Sequence, residues 1–351
     1  MWKDLLKTSL PLFLILLCAS LPIANGKIIF MEWASPTISN LSSVFIVSSG
    51  DGWAVGAHGT IVRWNGTNWN IVTSPTGSQL NSVYLTSSSS GWAVGNYGLI
   101  IRWNGTAWNT VTSPTTYSLD SVYMVSSSDG WAVGTYGTIL RWNGTAWSIV
   151  TSPAPSSWFS SVFMVSSSNG WAVGLDGSII LWDGTHWTSV ASPTTSWLNS
   201  VNMVSSNNGW AVGTDGAIIH WNGTLWSSVA SPTSEYLLSV DMISSTNGWA
   251  IGGYGTIIHW NGTSWESVAS PTVQFYYSVC MLSATDGWAV GENGTIIRWT
   301  GTTGGWIPEF PLTGFILLLI AATVVPILIS RKKMSRQAVE PKRNSTPDRN
   351  R

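Results

Sequence analysis

The chain has 351 residues, 44% of them hydrophobic and only 9% charged, with a formal net charge of −1. Between Lys27 and Pro311, 5 Lys and Arg stand against 13 Asp and Glu, a net −8 that repels phosphate backbones and argues against nucleic acid as a partner. Of the 2 cysteines, Cys18 lies in a leader-like segment, so Cys280 has no intramolecular partner in the remainder and stability must come from apolar burial.

Residues 1–26 read as a signal peptide. Lys3 and Lys7 precede an apolar run from Leu10 to Ile23, and the small residues Ala24 and Gly26 suit a cut before Lys27. The run is short of the roughly 20 residues that a retained span needs. Bulky Leu17 before Cys18 does not fit a lipoprotein signal.

From residue 27 to 306 the chain is built on a repeat. A leading Trp recurs at Trp53, Trp92, Trp131, Trp171, Trp210, Trp249 and Trp288, at spacings of 39, 39, 40, 39, 39 and 39 residues. A second Trp follows eleven residues later, from Trp64 to Trp299, and a third five further on in the first six copies, from Trp69 to Trp265. A period near 40 with several short β-type runs is the signature of a propeller blade, which predicts an all-β, seven-bladed propeller of four-stranded antiparallel blades. In the second copy the predicted strands are Leu80 to Ser87, Trp92 to Gly95, Leu99 to Trp103 and Thr106 to Thr112, with Asn104-Gly105 as a tight turn. Ser113-Pro114 then breaks the ladder. The repeat-fixed Trp residues suit blade-to-blade burial better than sugar stacking. Gly at the end of each second strand is expected to supply a turn conformation closed to other residues. Ile28 to Thr37 reads as a fourth strand that completes the seventh blade and hides both edges.

The two ends of the blades differ in their variability. Loops between first and second strands, and between third and fourth, are nearly uniform; the remaining loops diverge from copy to copy. The variable loops carry Tyr97, Tyr117, Tyr136, Trp158, Phe159, Trp197, Glu235, Tyr236, Tyr254, Phe275, Tyr276 and Tyr277 as candidate ligand-binding residues. The competing reading is that these aromatics plug the channel as core. On the uniform side Asn65, Asn104, Asn143, Asn222 and Asn261 begin Asn-x-Thr sequons, and Asn40 and Asn293 begin two more, making seven candidate glycosylation sites. Asp183 takes the same place in the fourth copy, so turn geometry alone also accounts for Asn there.

No enzyme motif emerges. Arg63, Arg102, Arg141 and Arg298 occupy equivalent third-strand positions, with Leu181, His220 and His259 in the other copies, and form a ring rather than a clamp. The four His lack metal-ligand spacing, and no phosphate loop or cofactor motif is present. A catalytic reading would need Asp120, Glu235 and Asp241 to converge.

After a linker at 307–311, residues 312–330 form an apolar stretch of transmembrane length, and the Arg- and Lys-rich tail at 331–351 follows. Arg331-Lys332-Lys333 places that tail in the cytoplasm and the propeller outside.

The repeat Asp-Gly-Trp-Ala-Val-Gly, then Gly-Thr-Ile and a Gly-Thr-x-Trp turn, resembles the propeller family of photosystem II assembly factors from about Ser42 to Trp299. It is also similar to the Asp-box repeats of sialidase-like propellers, whose arginine cluster and catalytic Tyr/Glu have no counterpart here. The first resemblance implies a non-catalytic protein-binding module. Pro308-Glu309-Phe310-Pro311, the apolar span and Arg331-Lys332-Lys333 resemble the PEF-type sorting signals of archaeal surface proteins, which implies replacement of the span by a lipid anchor. The expectation is a cell-surface glycoprotein whose propeller binds a surface protein or glycan. Its rivals are a glycoside hydrolase or lyase with its site at the channel mouth, and a structural envelope protein.

Overall fold

The computed structural model describes residues 29–301. The segments expected as signal peptide, linker, span and tail lie outside them. Among the described residues no helix is long and apolar enough to cross a membrane.

Seven four-stranded antiparallel sheets make up the described chain. Blade 1 consists of Leu41–Ser48, Asp51–Gly56, Ile61–Trp64 and Trp69–Ile71, and the same pattern recurs through blade 7. In blades 1 to 6 the order in the sheet is the order in sequence, and every first strand touches the first strands of both neighbouring blades, so these strands surround the axis. Blade 7 takes Tyr276–Ser283, Asp286–Gly291 and Ile296–Thr300, and its outermost strand is Ile29–Glu32. Phe30 sits opposite Trp299 and Glu32 opposite Ile297, so the ring closes through the N-terminal strand as its composition predicted. Trp33 extends the ladder by donating its amide to the Ile296 carbonyl at 2.8 Å.

The tryptophans form the seams between blades. Trp53 of blade 1 packs on Trp103 at 4.8 Å and edge-on to Trp108 at 5.5 Å in blade 2. The pattern continues around the ring until Trp288 of blade 7 packs on Trp64 and Trp69 of blade 1, at 4.9 and 5.4 Å. Blade 7 lacks a third Trp, and Phe30 takes its place, 5.7 Å from Trp249 and edge-on. Leading and third-position Trp side chains are buried in every blade that has them. Each contributes on the order of 200 Å² of apolar surface to a seam.

A second set of seam contacts comes from Ser in the Ser-Val pair of each first strand. Ser43 Oγ accepts the Val83 amide at 3.2 Å, Ser82 that of Val122, Ser121 that of Val162, and Ser161 that of Val201. Ser200, Ser239 and Ser278 complete the circle onto Val240, Val279 and Val44. Ser200→Ala leaves one amide without this acceptor, and the expected cost is about 1–3 kcal/mol. A lowered denaturant midpoint, with faster exchange of the Val240 amide than in wild type, is the outcome to look for.

Two local expectations are corrected. Gly56, at the end of a second strand, has φ −174°, an extended backbone open to any residue. It is glycine because a Cβ there would overlap the Asn40 carbonyl. The turn between third and fourth strands is also longer than a two-residue hairpin. In blade 1 it runs from Asn65 to Asn68, with Gly66 at φ 94°. Asn65 Oδ1 accepts from the Thr67 amide, the Thr67 hydroxyl and the Asn68 amide at 3.0, 2.9 and 2.9 Å. Asp183 makes the same three contacts, which hold its carboxyl down at about 2. The side-chain oxygen organises this turn, which is why Asn and Asp interchange there.

Candidate ligand-binding face

One end of the ring is shaped by the turns between second and third strands together with the blade-linking segments. Each turn holds one non-glycine residue in the left-handed region: His58, Tyr97, Tyr136, Asp176, Asp215, Tyr254 and Asn293, at φ between 52 and 59°. The following glycine is also left-handed, and in blade 2 a Cβ on Gly98 would overlap the Thr115 carbonyl of the link. The link therefore pins the turn, and its tip residue is held out to solvent in a conformation that bulky side chains disfavour. Tyr97, Tyr136 and Tyr254 are 79, 68 and 65% exposed. Tip geometry is common to all seven blades; tip chemistry differs.

Inside the tips, the residues flanking the first buried position of each first strand line the mouth. That buried position is Leu41, Leu80, Leu119, Phe159, Leu198, Leu237 and Tyr276. Phe159 and Tyr276 thus belong to seam cores and drop out as ligand-binding candidates. Strand side chains alternate, so their neighbours face the opposite way. Trp158 and Trp197 pack with tilted rings at 4.9 Å, as do Tyr117 and Tyr136 at 4.9 Å and Tyr254 and Phe275 at 4.8 Å. Phe275 also lies 6.5 Å from Tyr277. Tyr236 and Tyr117 are exposed, whereas Trp197, Glu235, Phe275 and Tyr277 are half-buried.

A cavity of about 390 Å³ opens here, lined by Asn40, Gln79, Asn81, Asp120, Asn199 and Tyr277 among others. Its polar groups are largely engaged with one another. Trp158 Nε1 donates to Asp120 Oδ2 at 2.7 Å, Trp197 Nε1 to Ser160 Oγ at 2.6 Å, and Gln79 Nε2 to Ser42 Oγ at 2.7 Å. Asn81 Nδ2 bonds the Leu119 carbonyl, and Asn199 Nδ2 that of Leu237, at 3.0 and 2.9 Å. Burial pushes the Asp120 carboxyl up to about 6, against the opposing Trp158 hydrogen bond.

Deeper in the channel, the equivalent positions are Phe45, Tyr84, Tyr123, Phe163, Asn202, Asp241 and Cys280. Four aromatics pack in an arc, each ring tilted against the next, at 4.6, 4.7 and 4.8 Å. The three polar members instead accept amides of the next blade, Asn202 from Met242 at 3.3 Å, Asp241 from Met281 at 2.7 Å and Cys280 from Ile46 at 3.3 Å. Desolvation raises the Asp241 carboxyl to about 6 and the Cys280 thiol to about 12. Asp120 and Asp241 belong to blades 3 and 6 and share no hydrogen-bond partner. Seven blades allow no greater separation around the ring. Comparing the copies at this one position would have exposed the arc in the sequence.

The charged residues divide between the two ends. Arg63, Arg141 and Arg298 pair with Asp51, Asp129 and Asp286 at 2.9, 3.1 and 2.9 Å, near the uniform end. All four described Arg lie over the leading Trp of their own blades, within 4.9–5.1 Å. His220 and His259 bond Asn208 and Asn247 in the same manner, each at 3.1 Å. The third-strand ring is therefore strand-paired and covers tryptophan. The sequon residues Asn65, Asn104, Asn143, Asn222 and Asn261 are exposed at this end. Asn40 and Asn293 lie at the other, where Asn40 Oδ1 accepts the Asn293 amide at 2.9 Å.

No protein-family model matches the chain, and no curated protein does. Among solved structures the chain is similar to YCF48 bound to a D1 peptide, with TM-score 0.66 and 18% identity over 81% of this chain and 100% of that one. YCF48 from Cyanidioschyzon merolae gives 0.64 and 17% over 77 and 98%. The WD40 propeller domain of Doa1 gives 0.65 and 16% over 79 and 98%. The likeness to the photosystem II assembly factor YCF48 is one of fold.

Proposed function

We propose that this chain is a non-catalytic binding module, displayed outside the cell and held there by its C-terminal apolar segment or a lipid that replaces it. The observation that carries the reading is the set of outward tyrosines, Tyr97, Tyr136 and Tyr254, fixed in left-handed backbone around a polar mouth. Backbone strain of this kind clusters where it serves recognition. Paired aromatics beside it offer rigid contact area at low entropic cost. A surface protein is favoured as partner by YCF48, whose structure holds a D1 peptide. Against catalysis stand Asp120 and Asp241, each occupied by its own partners in distant blades. Export rests on residues 1–26 and the span at 312–330. The resemblance to archaeal sorting signals gives the setting. Sugars on Asn65, Asn104, Asn143, Asn222 and Asn261 would coat the uniform end, while Asn293 is an exposed sequon on the mouth end itself.

The test is a screen of the full-length chain against arrays of peptides, surface proteins and glycans, beside a Y97G/Y136G/Y254G variant. Glycine relieves the left-handed strain, so the variant should melt no lower than wild type by more than a degree or two. Binding by wild type that falls on the order of tenfold or more in the variant supports the reading. A ligand whose affinity the variant leaves unchanged removes binding from this face.

A further inference from the structure

We infer that the occupant of this mouth is an extended, positively charged polypeptide segment. The inference rests on the binding reading above and specifies its partner. Around the aromatic mouth lie Asp176, Asp215, Glu235 and Glu292, while the described residues of this end hold no Lys or Arg. All three ion pairs among the described residues are at the opposite end, and none of these four carboxylates takes part in one.

The polar chemistry on offer is correspondingly one-sided. The amide and indole donors of the mouth, on Gln79, Asn81, Trp158, Asn199 and Trp197, are spent on neighbouring backbone and side chains. What remains open at the tips is carboxylate oxygens and the faces and hydroxyls of tyrosine. A neutral glycan would leave the negative charge of the site unused, and an anionic ligand would meet like charge. Ammonium and guanidinium groups satisfy both features, by charge-assisted bonds to carboxylates and by stacking over aromatic rings. The tips stand around a ring, and a segment crossing the mouth would meet several of them in succession. That geometry suits an extended chain rather than one isolated cation.

The test measures binding of the full-length chain to a fluorescent decapeptide of alternating Lys and Ser, its Glu/Ser counterpart and a neutral hexasaccharide. Two variants run beside wild type: D176N/D215N/E235Q/E292Q, and Y97G/Y136G/Y254G, which keeps the charge. The expected result is selective binding of the Lys peptide, lost on the order of tenfold in both variants and weakened by added salt. Retention of Lys-peptide binding by the tyrosine variant would make the attraction non-specific and overturn the inference. Preference for the hexasaccharide or the Glu peptide overturns it too, while the binding reading survives if that ligand needs the tyrosines. If no ligand in the arrays or in this set binds, both readings fall together.

Discussion

Removing residues 27–35 is expected to lower the melting temperature by roughly 10–20 °C. Phe30 packs 5.7 Å from Trp249 and 5.2 Å from Trp299, filling the place that a third Trp fills elsewhere. Phe30 is half-buried, so its loss is expected near the low end for a core aromatic, about 3 kcal/mol. The deletion also strips the partner strand from Ile296–Thr300, whose ladder to Ile29–Glu32 is its only cover on that side. A further few kcal/mol follow from those hydrogen bonds and the exposed edge. For domains of this size each 1 kcal/mol moves the midpoint by about 2–4 °C. Calorimetry on the deleted chain and on F30A separates the two contributions. F30A should recover about half the effect, and an unshifted melt for the deletion would mean that blade 7 is stable with three strands.

The second large effect is expected from a leading tryptophan. Trp171→Ala should cost about 3–5 kcal/mol, because the side chain is 1% exposed and lies 4.7 Å from Trp221 and 5.3 Å from Trp226. The same geometry recurs at Trp131, on Trp182 at 4.7 Å and Trp187 at 5.3 Å. W131A should therefore match W171A to within about 0.5 kcal/mol, the usual scatter between independent sites. Denaturant titration provides both numbers. Near-zero cost at either position would favour the sugar-stacking reading of these residues, which their burial opposes.

Several features of the mouth were legible once the copies were compared in register. The tip residues Tyr97, Tyr136 and Tyr254 follow a shared Trp-Ala-Val/Ile-Gly pattern, and their exposure matches the variability of that position. Phe159 and Tyr276 were legible as core too, since five leucines occupy their equivalents in the other copies. Aromatic character alone was the wrong guide there. The serine ring was written in the repeated Ser-Val pair, yet Ser is so frequent in this chain that the pair carried no visible signal without its partner amide.

The blades, their number and their Trp seams were determined by sequence alone, because strand alternation, Asn-Gly turns and a period near 40 are local or repeating constraints. Closure by Ile29–Glu32 was foreseeable for the same reason, as a missing fourth strand at one end and a surplus one at the other. Tertiary structure decided which side chains reach the mouth. First strands shift register after their first residue, between Leu41 and Ser43 in blade 1 and likewise in the others. In a strand, one residue of displacement exchanges the buried side for the open one. That single step sends Phe159 into a seam while Trp158 and Ser160 face the mouth, and it sets Trp158 against Asp120 of the preceding blade, 38 residues away in sequence. Contacts over that distance depend on how blades meet, which no local pattern encodes.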